Sequence, residues 1–341
     1  MAASAVVVML RPWLVLFAAL ALTLSGCEDE LRVPYIPPTL ANWPQPYRGI
    51  AGLKVHVFNT GYVRQSEALV LRGGSLLRTR DLAVPVFVIE HPKQGLILFN
   101  TGLKPAKAAG SAAQHGWLNL PLAPTVLPGE DLKTQMQHAG LAPDAVRWVV
   151  LSNLRFDHTG AAKAFPNARV VVAQAERESA HKASSGYAAD DIDDVANWKV
   201  IDFDPRVPLA TFSAHVDLFG DGSCLLIDAS GTTSGTMAML VRLPHQPLLL
   251  ADDMAAVTEN VRYALRPTFA ADVPKWWDHI WRLKRFKDLV PELIVAPGHD
   301  LAPLQAAHAP DIIIHEIRPP DTKAPAQRTP DLLQRVIPKP M

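Results

Sequence analysis

Apolar and polar positions along the chain predict short strands interrupted by a few helices. Leu53–Phe58 (LKVHVF) alternates with the period of two of a half-buried strand. Val84–Glu90 and Gly95–Phe99 are apolar runs joined by a His-Pro-Lys-Gln turn, and they read as two strands. Val146–Leu151, Ala168–Ala173 and Leu293–Ala296 read as buried strands. Val216–Phe219 and Ser223–Ile227 flank Gly220-Asp221-Gly222, a hairpin signal, and Met237–Val241 and Leu248–Ala251 continue that second set. Glu130–Ala139 has helical periodicity with Gly140 as its C-cap. Pro274–Phe286 is an amphipathic helix that places Trp277 and Trp281 on one face, as core packing or as the wall of a substrate site. Strands in two runs, each followed by helix, predict a layered α/β sandwich rather than one doubly wound sheet.

The two ends have a different texture. Residues 1–26 read as a secretory signal: Arg11 supplies positive charge, and Trp13–Leu24 is an apolar core too short for the ~20 residues of a bilayer span. Leu24-Ser25-Gly26-Cys27 resembles the bacterial lipobox, in which the cysteine is acylated and becomes the first residue. The alternative is a transmembrane anchor over Ala5–Leu24, which must carry Arg11 and Pro12 in mid-span. Cys27 is followed by Glu28, which in Gram-negative lipoproteins implies the outer membrane, with the domain facing the periplasm. Residues 27–52 are proline-rich and read as a tether, residues 53–307 as the folded domain, and residues 308–341 as a second proline-rich tail.

Composition narrows the function classes. The 341 residues are 49% hydrophobic and 19% charged, which excludes disorder over most of the length. Lys plus Arg equals Asp plus Glu at 33 each, so nothing electrostatic favours a nucleic-acid partner. Two cysteines, Cys27 and Cys224, exclude a disulfide scaffold and a cysteine-rich zinc module. Cys224 lies in a strand and reads as a small buried hydrophobe. His56, His91, His215 and His279 have no ligand spacing and read as surface or packing residues. Serine-hydrolase elbow, phosphate loop and His-Glu-x-x-His patterns are absent from the sequence.

The strongest chemical signal follows the strand Val146–Leu151. It runs Ser152-Asn153-Leu154-Arg155-Phe156-Asp157-His158-Thr159-Gly160. This resembles the metallo-β-lactamase superfamily, whose strand-end loop reads His-x-His-x-Asp-His. Phe165–Ala168 and Val170–Glu176 are most similar to the N-acyl homoserine lactonase branch. Phe99–Gly102, Gly231–Gly235, Leu250–Asp253 and Ala296–Asp300 extend the resemblance in the family's order across about 53–305. It implies a four-layer αββα sandwich with two metal ions at the strand ends, and a water between them that attacks an ester, lactone or amide carbonyl.

Measured against that pattern, the chain departs in a structured way. Asn153, Arg155 and Thr232 stand where the three histidines of the first metal are expected. Asp157, His158, Asp253 and His299 keep the four positions of the second, with Asp253 as the bridging acid. Asn100 stands for the usual Asp of the family's Asp-Thr-Gly turn, and Ala256 for a Tyr that assists the leaving group. Asp252 reads as a solvated neighbour of Asp253. An inward Arg155 puts a permanent cation at the first metal position, because a guanidinium is not a ligand; an outward one leaves that position empty. Burial of two carboxylates favours the inward direction.

Taken singly, the remaining positions have structural alternatives: Asp157 and His158 as helix or loop supports, and His299 as a loop histidine. Taken together they imply one zinc or other divalent ion. Asp157 or Asp253 is then the base, and Arg155 or Asn153 the stabiliser of the oxyanion. Single-zinc family members with Asn at the first motif position favour this hydrolase. The rival is a non-catalytic descendant without metal, binding a small amphiphile or an envelope partner.

Overall fold

The first alternating stretch extends well beyond its sequence signal. In the computed structural model, which describes residues 37–104, 130–180, 187 and 189–316 and the backbone of 125–128, β1 spans Lys54–Ser66. It is followed by β2 (Thr79–His91), β3 (Gly95–Phe99), β4 (Thr125–Pro128), β5 (Val146–Val150), β6 (Arg169–Ala173) and β7 (Trp198–Ile201). A second sheet takes β8 (His215–Asp217), β9 (Cys224–Asp228), β10 (Met237–Arg242), β11 (Pro247–Asp252) and β12 (Ile294–Pro297). A last strand, β13 (Ile312–Ile314), returns to the first sheet.

In the first sheet the order is β13-β1-β2-β3-β5-β6-β7, with β4 pairing β1; in the second it is β12-β11-β10-β9-β8. β1, β2 and β3 are antiparallel neighbours, whereas β3, β5, β6 and β7 run parallel. The second sheet is antiparallel except for its β11–β12 pair.

The continuous apolar runs have a simple cause: both faces of these strands are covered. Ile97 and Phe99 of β3 join Leu248 and Leu250 of β11 in the cluster between the sheets. Their alternates Leu96 and Leu98 pack outward with Leu132 and Met136, on the helix Leu132–His138. The alternates Leu249 and Ala251 pack outward against Trp276, Ile280, Leu283 and Phe286 of the helix Val273–Leu289. Three apolar layers separate four structural layers, the αββα sandwich.

Several sequence expectations shift. The tail drawn from residue 308 contains β13, whose Ile312 pairs with Val55. The stretch drawn as tether includes Ala41, which bridges Ala210, and Tyr47, whose hydroxyl donates to Leu243 O at 2.7 Å. The first segment contributes because Leu40, Trp43 and Ile50 pack on the apolar clusters, and the second because β13 pairs with the edge of β1. Residues 1–26 and Cys27 lie outside the described residues. Trp276 is the fully buried tryptophan of its helix, while Trp277 stacks on Trp281, which stays 43% exposed. Buried His56 and His279 have fixed partners: Glu90 and His315 for the first, Ser230 O for the second. Burial pushes the Cys224 thiol up to about 12, so it remains protonated. Among the described residues, no helix is long and apolar enough to cross a membrane.

Candidate metal centre

The carboxyl ends of β3, β5, β11 and β12 meet at one edge of the sandwich. β3 runs into Asn100, β5 into the loop 151–158, β11 ends at Asp252 and is followed by Asp253, and β12 runs into His299. Parallel pairing of β3 with β5 and of β11 with β12 makes this convergence possible. The loop is held from both sides. Thr101 donates through its backbone N–H and its hydroxyl to the carbonyl of His158, at 2.8 and 2.9 Å. Gly160 lies so close to the 102–104 backbone that a Cβ there would sit 2.1 Å from Lys104 N.

Both histidines are tied back by one ring nitrogen. His299 bonds Ala83 O through Nδ1 at 2.7 Å, and its Nε2 stands 3.2 Å from Asp253 Oδ1 and 3.7 Å from Asp157 Oδ2. His158 bonds Asp157 Oδ1 through Nδ1 at 2.9 Å, and its Nε2 faces Asp252 Oδ2 at 3.3 Å and Asp253 Oδ2 at 3.9 Å. Such backing bonds fix the tautomer of a ligating imidazole and present the other nitrogen. Among the described residues, His158, Asp253 and His299 each place a ligand atom within 4.8 Å of the other two. Two imidazoles and a carboxylate, with Asp157 alongside, are a fitting donor set for one zinc-like ion.

The first-metal positions do not fit an ion. Asn153 is fully buried and donates through Nδ2 to Asp253 Oδ2 at 3.1 Å and Asp252 Oδ2 at 3.4 Å. Its Oδ1 accepts from Arg155 N at 3.0 Å, so both ends of the amide are engaged and it is closed to a substrate oxyanion. Thr232 pairs with Thr236 at 3.1 Å. Arg155 points inward, its Nη1 3.7 Å from Asp253 Oδ2, while the side chain stays 40% exposed at the mouth. Asp252 corrects the sequence expectation: it is not solvated but 3% exposed, turned inward by a backbone at φ +50°.

Charge balance sets the titration. Burial pushes the Asp157 carboxyl up, but the His158 ring beside it prevails and holds it at about 2. Burial likewise opposes ionisation of Asp253, and His158, His299 and Arg155 drive its pKa below the ordinary range. Burial lowers His158, yet Asp252, Asp157 and Asp253 carry it well above its usual value; Asp253 does the same for His299. Arg155, disfavoured by burial, is raised by Asp253 and Asp157.

One organising residue escaped the sequence reading. Glu176 is fully buried and accepts from Leu154 N (3.0 Å), the Tyr187 hydroxyl (2.6 Å), Thr233 Oγ1 (2.7 Å) and Gly235 N (2.9 Å). It fastens the 151–158 loop to the 231–235 segment. Its signal was an acid three residues past the end of β6, in the helix Gln174–Ala180.

This geometry has relatives. The description "Metallo-beta-lactamase superfamily" fits residues 79–299. The chain belongs to that superfamily. It is 29% identical over 226 residues to the N-acyl homoserine lactonase AttM of Azorhizobium caulinodans, covering 64% of this chain and 82% of the relative. It is 26% identical over 230 residues to the lactonase AiiB of Agrobacterium fabrum, covering 61% and 79%. Among solved structures, an N-acyl homoserine lactone hydrolase with N-hexanoyl-L-homoserine at its catalytic metal center superposes with a TM-score of 0.62. The two share 20% identity, over 74% of this chain and 95% of the other. A B. thuringiensis AiiA mutant with N-decanoyl-L-homoserine at its active site gives 0.62 at 19% identity, over 74% and 95%. These structural likenesses establish the superfamily sandwich.

The clamp and the titration can each be tested. Glu176→Ala strands four buried donors and costs about 3–5 kcal/mol in urea denaturation, with Glu176→Gln costing less; a loss under about 1 kcal/mol contradicts the clamp. Because the folded pKa of Asp157 is depressed, its stabilisation is complete above the ordinary carboxylate value and is lost as pH falls through about 2. Metal-free protein therefore loses roughly 1.5–2 kcal/mol more than Asp157→Asn between about pH 4 and 2. Parallel pH profiles of the urea midpoint for the two proteins contradict it.

Proposed function

We propose that the protein is a hydrolase of an ester, lactone or amide carbonyl in a small acylated molecule, working with a single divalent ion. The supporting observation is the convergence of His158, Asp253 and His299 beside a first position taken by Arg155. The names of the lactonase relatives support a lactone or kindred acyl substrate.

His158, His299 and Asp253, with Asp157 alongside, would hold such an ion, and it would supply Lewis acidity and make water more acidic. The chain's own residues do the rest. Asp253, oriented by Asn153 and His299, is placed to take up the proton of the attacking water. Arg155, open at the mouth, offers a fixed cation to the developing oxyanion. Asn153 positions Asp253 and leaves that role to Arg155. Ala256 offers no acid to the leaving group, and the Tyr187 hydroxyl is committed to Glu176. The protein is therefore a poor lactonase, at least tenfold slower on long-chain acyl lactones than a two-metal relative, a barrier difference above ~1.4 kcal/mol.

The inward Arg155 also favours the second reading, a non-catalytic binder of an amphiphile or envelope partner, because its charge opposes any cation nearby by a few kcal/mol at ~4–6 Å and an effective dielectric of ~20. Elemental analysis of zinc-loaded, desalted protein separates the two. The expected result is at most one zinc per chain, held as tightly or more tightly in Arg155→Ala. Two equivalents overturn the single-ion reading; none in either protein leaves the non-catalytic one.

We further infer export and lipid anchoring at Cys27 in an outer membrane, with the domain on the periplasmic side. Support comes from the signal-like residues 1–26 and the lipobox-like Leu24–Cys27. Mass spectrometry of the membrane-extracted protein is expected to find an acylated Cys27 at the mature N-terminus, and Cys27→Ala to release the protein. Retention of residues 1–26 on a soluble chain refutes it.

A further inference from the structure

We propose that Asp252 is an additional metal-binding carboxylate of this centre, one that the superfamily pattern does not supply. The inference rests on the single-ion reading and deepens it.

The first support is conformational. Asp252 sits at φ +50°, ψ −141°, a backbone state that side-chain-bearing residues avoid and that is retained where the surroundings over-determine it. The effect is to turn a carboxylate from the end of β11 into the interior, where it is 3% exposed.

The second support is the way its neighbours hold it. Asn100 donates through Nδ2 to Oδ1 at 3.0 Å, and Asn153 donates through Nδ2 to Oδ2 at 3.4 Å. These are two of the positions where the chain departs from the superfamily pattern, with amides in place of an acid and a histidine. An acid at position 100 would face Asp252 as a like charge across 3.0 Å; the amide turns that contact into a hydrogen bond. The contact therefore holds one negative charge, that of Asp252, at the end of β11.

The third support is what Asp252 faces. His158 Nδ1 is tied to Asp157 Oδ1 at 2.9 Å, and the free ring nitrogen, Nε2, lies 3.3 Å from Asp252 Oδ2 and 3.9 Å from Asp253 Oδ2. An ion taken up at Nε2 in place of a ring proton would therefore lie beside the Asp252 carboxylate as well as that of Asp253.

The test compares wild-type full chain with Asp252→Gly, Asp252→Asn and Asp253→Asn. Zinc affinity is measured by competition with a chromophoric chelator, and the visible spectrum is recorded after cobalt(II) loading. Glycine suits the positive φ, which offsets part of the cost of stranding the Asn100 and Asn153 amides, and melting curves of Asp252→Gly and Asp252→Asn establish that both variants are folded before their metal affinity is compared. Both Asp252 variants are expected to bind zinc about tenfold or more weakly and to show altered cobalt bands, as Asp253→Asn does. Affinity within about threefold of wild type and an unchanged cobalt spectrum in the Asp252 variants overturn the proposal alone, leaving Asp252 as the partner of a protonated His158. Failure of wild type to bind either metal overturns the single-ion reading and the proposal together.

Discussion

Carboxylates gathered in a nearly dry space must be matched by positive charge, and the edge of this sandwich is organised around that demand. Asp157, Asp252 and Asp253 are linked through His158, while Asn153 bridges the last two. Arg155, His158 and His299 are the cationic or potentially cationic groups within reach. A pair of metal ions could meet the same demand, which is how the superfamily pattern is built. Here Arg155 supplies a permanent share that neither dissociates nor titrates, and the imidazoles can exchange protons for an ion.

The rigid parts of the molecule are what make such a site tolerable. Thr101 clamps the His158 backbone, Glu176 ties the motif loop to the segment that carries Thr232, and Trp276 donates its indole N–H to Met254 O one residue beyond Asp253. None of these groups touches the ion site. Each fixes the backbone from which a ligand projects, so replacement of three ligands leaves the scaffold standing. The fold and the centre are thus separable, and the superfamily sandwich alone does not specify a two-metal site.

Much of this was legible in the residue pattern. Strands such as Gly95–Phe99 and Val146–Val150 announce themselves because both faces are buried, and the helix Val273–Leu289 because one face is. β7 and β13 are edge strands of four and three residues, and β13 pairs with the distant β1, so local patterning carries little of their signal. The grouping of Asp157, His158, Asp253 and His299 came from resemblance, since nothing in spacing brings residues 158 and 299 together. The direction of Arg155 was open because loop geometry sets it. Asp252 was misread for a physical reason: adjacent residues at a strand end point to opposite sides, and only a positive φ turns both carboxylates inward.

β13 has a bearing on how the chain reaches its native state. Its pairing with β1 brings His315 against His56 across 259 positions of sequence. The Val55–Val57 part of β1 therefore stays unpaired on one side until β13 has been made, whereas β4 covers Gly61–Arg64 much earlier. During synthesis the Val55–Val57 stretch is an open template for wrong pairing until Ile312–Ile314 covers it. A truncation that removes Ile312–Ile314 is therefore felt at the N-terminal end of β1.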